Sequence, residues 1–341
     1  MYTNDKKIEF LFINWLIISL ILIFLMIVIG GLTRLTNSGL SITEWELFTG
    51  ILPPLSQNRW DEYFQLYKTI PQYKFLNYNM TFKEFKIIFY WEYFHRLLGR
   101  IIGIFFLIPL LYFHFISKLD IKRLIPCYIV LFLIIVQGII GWYMVMSGLT
   151  QDITVSHYRL SIHLSTAILI ISMIFWQILN NKSNQSKSFF IFSKKNFPYL
   201  FLILLIFVQI IFGAFVSGLD AGKVYQTWPL MGYSFFPDDL ELSKFKIFFD
   251  FNSHSLVQFY HRITAYFITA YILILSIDIF KNNKTKLKSP MKLLLFVLLF
   301  QITLGVFTLL SDLHIVLASA HQISSVILVL SALNLYYSII K

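Results

Sequence analysis

The sequence is short of sulfur and of charge. One cysteine, Cys127, stands in 341 residues. That excludes an internal disulfide and any metal centre built from several thiolates. Its remaining role is packing at a helix end. Asp, Glu, Lys and Arg together make up 13% of the chain, where a soluble domain carries about 25%. Acidic residues are the scarcer kind, 17 against 28 Lys and Arg. No HExxH zinc motif occurs. A cleavable leader is also missing: the first apolar run is about twice the length of a signal h-region and has no small-residue cleavage site. No Arg precedes that run, and Asp5 and Glu9 interrupt the N-terminal segment ahead of it, so that segment does not read as a transit peptide either.

What fills the chain is apolar. Hydrophobic residues are 57% of it and the mean hydropathy is +0.72. About 20 apolar residues cross a hydrocarbon core, and runs of 18 or more read as spanning helices. Eight such runs occur, at roughly 10–32, 91–116, 125–147, 159–179, 198–217, 256–280, 292–311 and 315–340. The formal net charge of +11 does not point to nucleic acid, because the lysines cluster in short loops between spans. These are Lys118 and Lys122; Lys182, Lys187, Lys194 and Lys195; and Lys281, Lys284, Lys286, Lys288 and Lys292. They follow spans two, four and six. The positive-inside rule makes these loops cytoplasmic, and both termini with them.

An Asn/Ser/Lys-rich loop at 180–197 divides the spans four and four. Marks recur across it. Gly30-Gly31 matches Gly213-Ala214; His95-Arg96 matches His261-Arg262; Gln137, Gly141 and Ser147 match Gln301, Gly305 and Ser311; His163 matches His321. Four spans is an even number, so the halves share an orientation, as in a parallel repeat. The expected fold is an all-α membrane protein of eight transmembrane helices in two pseudo-symmetric four-helix bundles. Its boundaries are an N-terminal half at 1–180, a cytoplasmic linker at 181–197 and a C-terminal half at 198–341. The outer loops 33–90 and 218–255 are long, while 148–158 and 312–314 are short. Within the first, Arg59 to Tyr67 has the pattern of an amphipathic helix lying on the membrane surface. Small lipid-facing residues leave room for a homo-oligomer.

His95, His163, His261 and His321 each fall one to two turns inside the outer start of a span. Ionisable residues inside spans are rare and usually functional. Neutral imidazole binds zinc, copper and haem iron, and facing pairs across a bundle suit bis-His haem ligation. The pairing within halves is His95 with His163 and His261 with His321. His114 sits at the cytoplasmic end, and His157, His254 and His314 fall in loops, where solvated or interfacial roles are expected.

Lysine follows the positive-inside trend and arginine does not. Of seven arginines only Arg123 is on the cytoplasmic side; Arg34, Arg59, Arg96, Arg100, Arg159 and Arg262 lie on or near the outer side. Arg recognises carboxylates with two parallel hydrogen bonds, and haem carries two propionates. Contacts to lipid headgroups or acidic loops are the alternative. Gly99 and Gly103 in span two suit either a flat macrocycle or close helix packing.

Glu92 breaks the symmetry, since the second half has Gln258 there. It precedes His95 by three residues, so the two share a helix face. A carboxylate beside a haem edge takes a proton, orients water or stabilises developing positive charge. A salt bridge to Arg96 or Arg34 is the structural alternative, and Glu44 is a second outer acid within reach of these arginines.

The combination resembles the heme A synthase family over nearly the whole chain. The resemblance rests on Gly30 to Thr36, Ser38 to Ser41, Glu92 to Arg96 with Gly99-Arg100, Gln137 to Gly141, Arg159 to His163, Trp228 to Met231, Gln258 to Arg262, and His321-Gln322. It implies oxidation of a methyl group of haem o to the formyl group of haem a, for cytochrome c oxidase assembly. It implies haem b held by His261 and His321, with substrate haem o near His95 and His163 and Glu92 as the key acid. Glu92 would stabilise a carbocation-like centre or deprotonate the attacking water that leads through a geminal diol to the aldehyde. The cofactor-binding set would include Arg34, Arg96, Arg100, Arg159 and Arg262. The resemblance is to the branch shared by alphaproteobacteria and mitochondria; with no presequence, it implies a bacterial cell inner membrane with the haem sites near the periplasmic side. The implied partners are a heme O synthase and an electron acceptor, with the lipid bilayer around the chain and no nucleic acid. One branch of the family has a cysteine pair in its first outer loop, and this chain does not. Two other readings of the residues stay open: a di-haem electron-transfer protein and a haem carrier.

Overall fold

The computed structural model describes residues 2–45, 49–117, 119–150, 153–183, 185–240 and 245–340. Lys118, one of the loop lysines above, lies outside the described residues. The helices are α1 (Tyr2–Leu35), α2 (Gln57–Thr69), α3 (Pro71–Phe75), α4 (Phe82–Leu111), α5 (Ile121–Gly148), α6 (His157–Lys182), α7 (Phe197–Gly218), α8 (His254–Lys281), α9 (Thr285–Leu310) and α10 (Ile315–Ile339). Eight of them, all but α2 and α3, are long and apolar enough to cross a membrane. No strand forms among the described residues; the one extended contact is an isolated bridge between Met231 and Ser234. The chain is therefore an all-α, multi-pass membrane protein. Lipid offers the backbone no partners, so each span satisfies its own amides as a helix.

The helix starts follow local chemistry. Thr81 and Glu84 form a reciprocal capping box at α4. Asp120 accepts from Lys122 N at α5, and Ser253 accepts from Leu256 N at α8. Pro198 sits in the first turn of α7, where its missing N–H costs nothing. The second span is longer than its apolar run. The capping box starts α4 at Phe82, not at 91, and a π-type turn, Tyr112–Ile116, extends the other end. The polar face of residues 82–91 hid this segment from a hydropathy reading. His95 consequently lies more than three turns from the start of its helix rather than one to two.

The chain divides into two compact units, Met1–Ile170 and Ile171–Lys341, with the boundary inside α6. In the first unit α1 packs along α4 and α4 along α5. The helix read from Arg59 to Tyr67 is present as α2, capped by Ser56, but it does not rest on lipid with its apolar face. Trp60, Tyr63, Phe64 and Tyr67 are buried against Phe85, Phe89 and Tyr93 of α4, together with Leu40 and Ile42. Phe64 stacks on Phe85 at 4.9 Å, and Trp60 meets Phe89 edge-on at 4.8 Å. Such aromatic pairs are worth about 0.5–1.5 kcal/mol each beyond their area. This cluster is a second small core between α2 and the first turns of α4, and it holds Leu40 and Ile42 on α4. Tyr67 OH donates to Gln72 Oε1 and accepts from Asn77 Nδ2, and Gln72 Nε2 donates to Asn37 O, which ties the long loop to the end of α1.

In the second unit α9 packs along α10, α7 along α8, and α7 along α10. The turn from α9 to α10 is the four residues Ser311 to His314, with Asp312 and Leu313 both at positive φ (56° and 58°). Leu313 fits a notch at Gly222, where a Cβ would come within 2.7 Å of its Cδ2. Only glycine admits that approach, and it fixes the start of the second long loop against the turn. Cys127 is buried in α5, with its Sγ 3.7 Å from Arg123 O.

Candidate functional site

Four helix pairs carry the same contact. Each of the four histidines presses its imidazole against a glycine of the neighbouring helix. A Cβ on Gly30 of α1 would lie 3.2 Å from His95 Nε2; one on Gly141 of α5, 3.1 Å from His163 Cε1. In the second unit a Cβ on Gly213 of α7 would lie 3.2 Å from His261 Cε1, and one on Gly305 of α9, 2.8 Å from His321 Cε1. The missing side chains are therefore what seats the rings.

Within each unit the two rings face one another. The centroids of His95 and His163 are 6.4 Å apart with the planes at 79°. Those of His261 and His321 are also 6.4 Å apart, at 82°. Two imidazoles binding one metal from opposite sides, with metal–nitrogen bonds of about 2 Å, stand with ring centres about 6 Å apart. The described residues hold no group of three or more His, Cys, Asp or Glu able to chelate a bare ion. A metal that brings its own equatorial ligands, as haem iron does, fits two lone axial imidazoles. The donor set thus fits haem in both units.

Hydrogen bonds around the rings differ between the units. Gln209 Nε2 donates to His261 O at 2.9 Å and lies 3.1 Å from His261 Nδ1. His321 Nδ1 is 3.2 Å from the carbonyl oxygen of Gln301. The Gln301 side-chain amide lies as close, its Nε2 3.3 Å from Nδ1 and 3.4 Å from Nε2, so one residue supplies the polar neighbours of both ring nitrogens of His321. Ser324 Oγ in turn donates to Gln301 Oε1. In the first unit Gln137 Nε2 donates to His163 O at 2.9 Å, but His163 Nδ1 is buried without a hydrogen-bond partner.

Glu92 is buried and fully occupied. Its Oε1 accepts from Arg96 Nε at 2.9 Å and Nη2 at 2.5 Å. Its Oε2 accepts from Ser41 N at 2.7 Å, Ser41 Oγ at 2.8 Å and Ile42 N at 2.9 Å. Five donors neutralise a carboxylate that would otherwise be costly to bury. The structural alternative raised from sequence, a salt bridge to Arg96, is present. Arg96 also donates to the backbone oxygens of Ile42 and Glu44, and its guanidinium lies over Trp45. It is the carbonyl of Glu44, not its carboxylate, that meets this arginine.

In the second unit Gln258 Nε2 donates to Tyr225 O at 2.9 Å. Arg262 donates to Thr227 O, Leu230 O and Tyr225 O at 2.8, 3.1 and 2.8 Å. Each HisArg motif therefore uses its arginine to hold the long loop of its own unit above the histidine. The loop here is further fixed by Tyr225 OH, which donates to Asp239 Oδ1, and by Ser255 Oγ, which donates to Asp239 Oδ2. Burial raises the Tyr225 phenol, with the Asp239 hydrogen bond adding to it. At Asp239 burial works upward, but the bonds from Ser255 and Tyr225 prevail and hold it below the usual carboxylate range.

The remaining sequence candidates are placed as follows. Arg100 joins Arg96, Tyr93, Ile42 and Glu44 around a small cleft. Arg159 lies over the Tyr143 ring at 5.0 Å, and Arg34 donates to Asn37 Oδ1 at 2.9 Å. Gly99 faces Met26 Cε, whereas Gly103 has nothing within 4 Å of a built Cβ. His157 is not a loop residue: it opens α6 and is buried. His254 opens α8 and His314 caps α10, both exposed. His114 Nδ1 meets Tyr128 OH at 2.7 Å. The sequence did not single out Gln209, and it placed Ser41 only within the stretch Ser38 to Ser41, without its bond to Glu92. The spacing Gln-x-x-x-Gly in α5 and α9 also occurs at Gln209–Gly213, which was the available signal; the bond from Ser41 to Glu92 had no local signal, because the two lie 51 residues apart.

A family model described as cytochrome oxidase assembly protein matches residues 13–333. The chain is 47% identical over 344 aligned positions to the heme A synthase of Pelagibacter ubique (strain HTCC1062), covering 99% of each chain. It is 42% identical over 335 positions to that of Rickettsia felis, covering 96% of this chain and 97% of the relative. The identity to the Rickettsia bellii heme A synthase is also 42%, over 333 positions and 96% and 98% of the two chains.

Proposed function

The chain belongs to the family of cytochrome oxidase assembly proteins, and from that premise we propose that it is a heme A synthase, an oxidoreductase converting the methyl group of haem o to the formyl group of haem a. The observation that carries this reading is the pair of facing imidazoles in each unit, 6.4 Å between centres, in a chain similar to heme A synthases from end to end.

In this reading His261 and His321 hold a resident haem b, and His95 and His163 receive substrate haem o. The N-terminal half, 1–180, is the substrate half; 198–341 is the haem b half; 181–197 links them on the cytoplasmic side. When bound, haem b supplies one-electron redox chemistry. The protein's own residues bind and orient. Glycines 30, 141, 213 and 305 seat the rings. Arg34, Arg96, Arg100 and Arg159 in the first unit and Arg262 in the second make the haem surroundings cationic toward propionates. Arg96 and Arg262 do this while pinning the long loops, which exclude water from the space above the rings. Glu92 is a fixed negative charge one turn from His95, stabilising positive charge that develops on the substrate. To act as a base it must first release one of its donors. We place the protein in a bacterial cell inner membrane, both termini cytoplasmic and the haem sites toward the periplasm, supplied by a heme O synthase and reoxidised by an electron acceptor.

One observation favours a second reading. With five donors on Glu92, no free carboxylate base stands at the first site, as a di-haem electron-transfer protein would also have it. The test is to express the chain in a bacterium that makes haem o but no haem a, and to identify the extracted haems by chromatography and mass. Haem a supports the synthase reading. Haem b and haem o alone, in cells supplying the electron acceptor of a working relative, overturn it in favour of electron transfer.

A further inference from the structure

The residue four before each ring-seating glycine lies one helical turn away on the same face, beside the imidazole that the glycine admits. At three of the four positions it is glutamine: Gln137, Gln209 and Gln301. Each bonds its histidine. Gln137 and Gln209 donate to the backbone oxygens of His163 and His261, the Gln209 amide also reaches His261 Nδ1, and the Gln301 amide lies 3.3 Å from His321 Nδ1, which also meets the main-chain oxygen of Gln301. At the fourth position, before Gly30, stands Met26. Its Cε packs at Gly99, where a Cβ would come within 3.3 Å. A thioether donates nothing, and among the described residues no hydrogen bond is seen to the His95 ring, nor one to His163 Nδ1.

Hydrogen bonds to the far side of a metal-ligating imidazole fix its orientation and raise its basicity, and losing one costs about 10–100-fold in affinity. We propose that Gln209 and Gln301 are positioning residues that make the second unit retain its haem, and that the first unit, where Met26 and Gln137 leave both the His95 and the His163 ring without such a partner, is the one that exchanges haem. This rests on the reading that both pairs ligate haem. It explains from packing why one fold would hold one haem as a cofactor and pass another through as substrate.

The test uses full-length protein in detergent, loaded with haem and mixed with excess apomyoglobin as acceptor, with the rate of haem loss and the reduction potential of each haem followed. Wild type is expected to lose haem in two phases. Met26→Gln should slow the fast phase about 10–100-fold and lower the potential of that haem alone, while Met26→Leu leaves both unchanged. Gln209→Met should quicken the slow phase by a similar factor, and it decides the matter if Met26→Gln does not fold. A single phase in wild type, or phases and potentials unmoved by Met26→Gln and Gln209→Met, overturns the inference and leaves the synthase reading standing. Wild type that takes up no haem overturns both.

Discussion

Glu92 and Arg96 stand one turn apart on α4 and meet edge to edge, Oε1 of the carboxylate accepting from both Nε and Nη2 at 2.9 and 2.5 Å. The pair is buried and its outer donors come from the loop at Ser41 and Ile42. It is therefore a clasp between the second span and the first long loop, as well as a charge beside the first histidine pair.

Replacing Glu92 with Gln leaves Arg96 buried with half its acceptor lost. Removing one partner of a buried pair costs about 3–5 kcal/mol, and about 1–3 kcal/mol is expected here because Ile42 O and Glu44 O still hold the guanidinium. The melting temperature should fall, and haem a production should stop while haem still binds to the second unit. Arg96→Lys should show the same stability loss by thermal unfolding. Haem a made at wild-type level by Glu92→Gln would remove this charge from the chemistry.

Gly305→Ala places a Cβ 2.8 Å from His321 Cε1, a distance that the ring must yield to. Purified protein should lose the low-spin haem of the second unit, seen as a lower haem-to-protein ratio. Gly213→Ala, at 3.2 Å, should have a smaller effect in the same direction. Gly103→Ala meets nothing within 4 Å and serves as the control, with haem content unchanged.

Arg262 serves three carbonyls of one loop, and lysine cannot reach three acceptors spread as Tyr225, Thr227 and Leu230 are. Arg262→Lys should expose the 225–240 loop to proteolysis at least several-fold faster, read by gel after limited digestion. Equal cleavage rates would mean that Gln226, which donates to Asp312 Oδ1, and Asp239 suffice to hold it.

Tyr67 lies outside the spans, with its phenol pushed up from 10.0 to about 12, chiefly by burial. A proton held more tightly in the folded state gives stability that is whole below pH 10 and is lost as the pH rises toward 12. The α2 cluster should therefore loosen between these values. Phenolate absorbance followed against pH, in wild type and in Tyr67→Phe, measures it; a Tyr67 titration near pH 10 would show the cluster to be open to solvent.

The number of spans, the all-α class and the four histidines were legible in the sequence, since lipid forces long apolar runs into helices and leaves buried histidine conspicuous. So was α2, by its amphipathic period. The start of α4 was not, because a capping box and an aromatic cluster extend a helix through residues that hydropathy scores as loop. His157 was misplaced for a related reason: a helix start buried by tertiary packing looks like a polar loop end.

Composition, period and motif spacing by themselves determined what kinds of side chain enter the membrane and that His95 pairs with His163 and His261 with His321. Those are local and repeated properties of the chain. Tertiary structure alone decided what each side chain spends its bonds on. Arg96 and Arg262 hold loops more than 30 residues away in sequence, and Ser41 crosses 51 residues to close over Glu92. No local pattern encodes such meetings, because donor and acceptor are brought together only when the helices pack and the desolvated charges must find whatever partners the loops present.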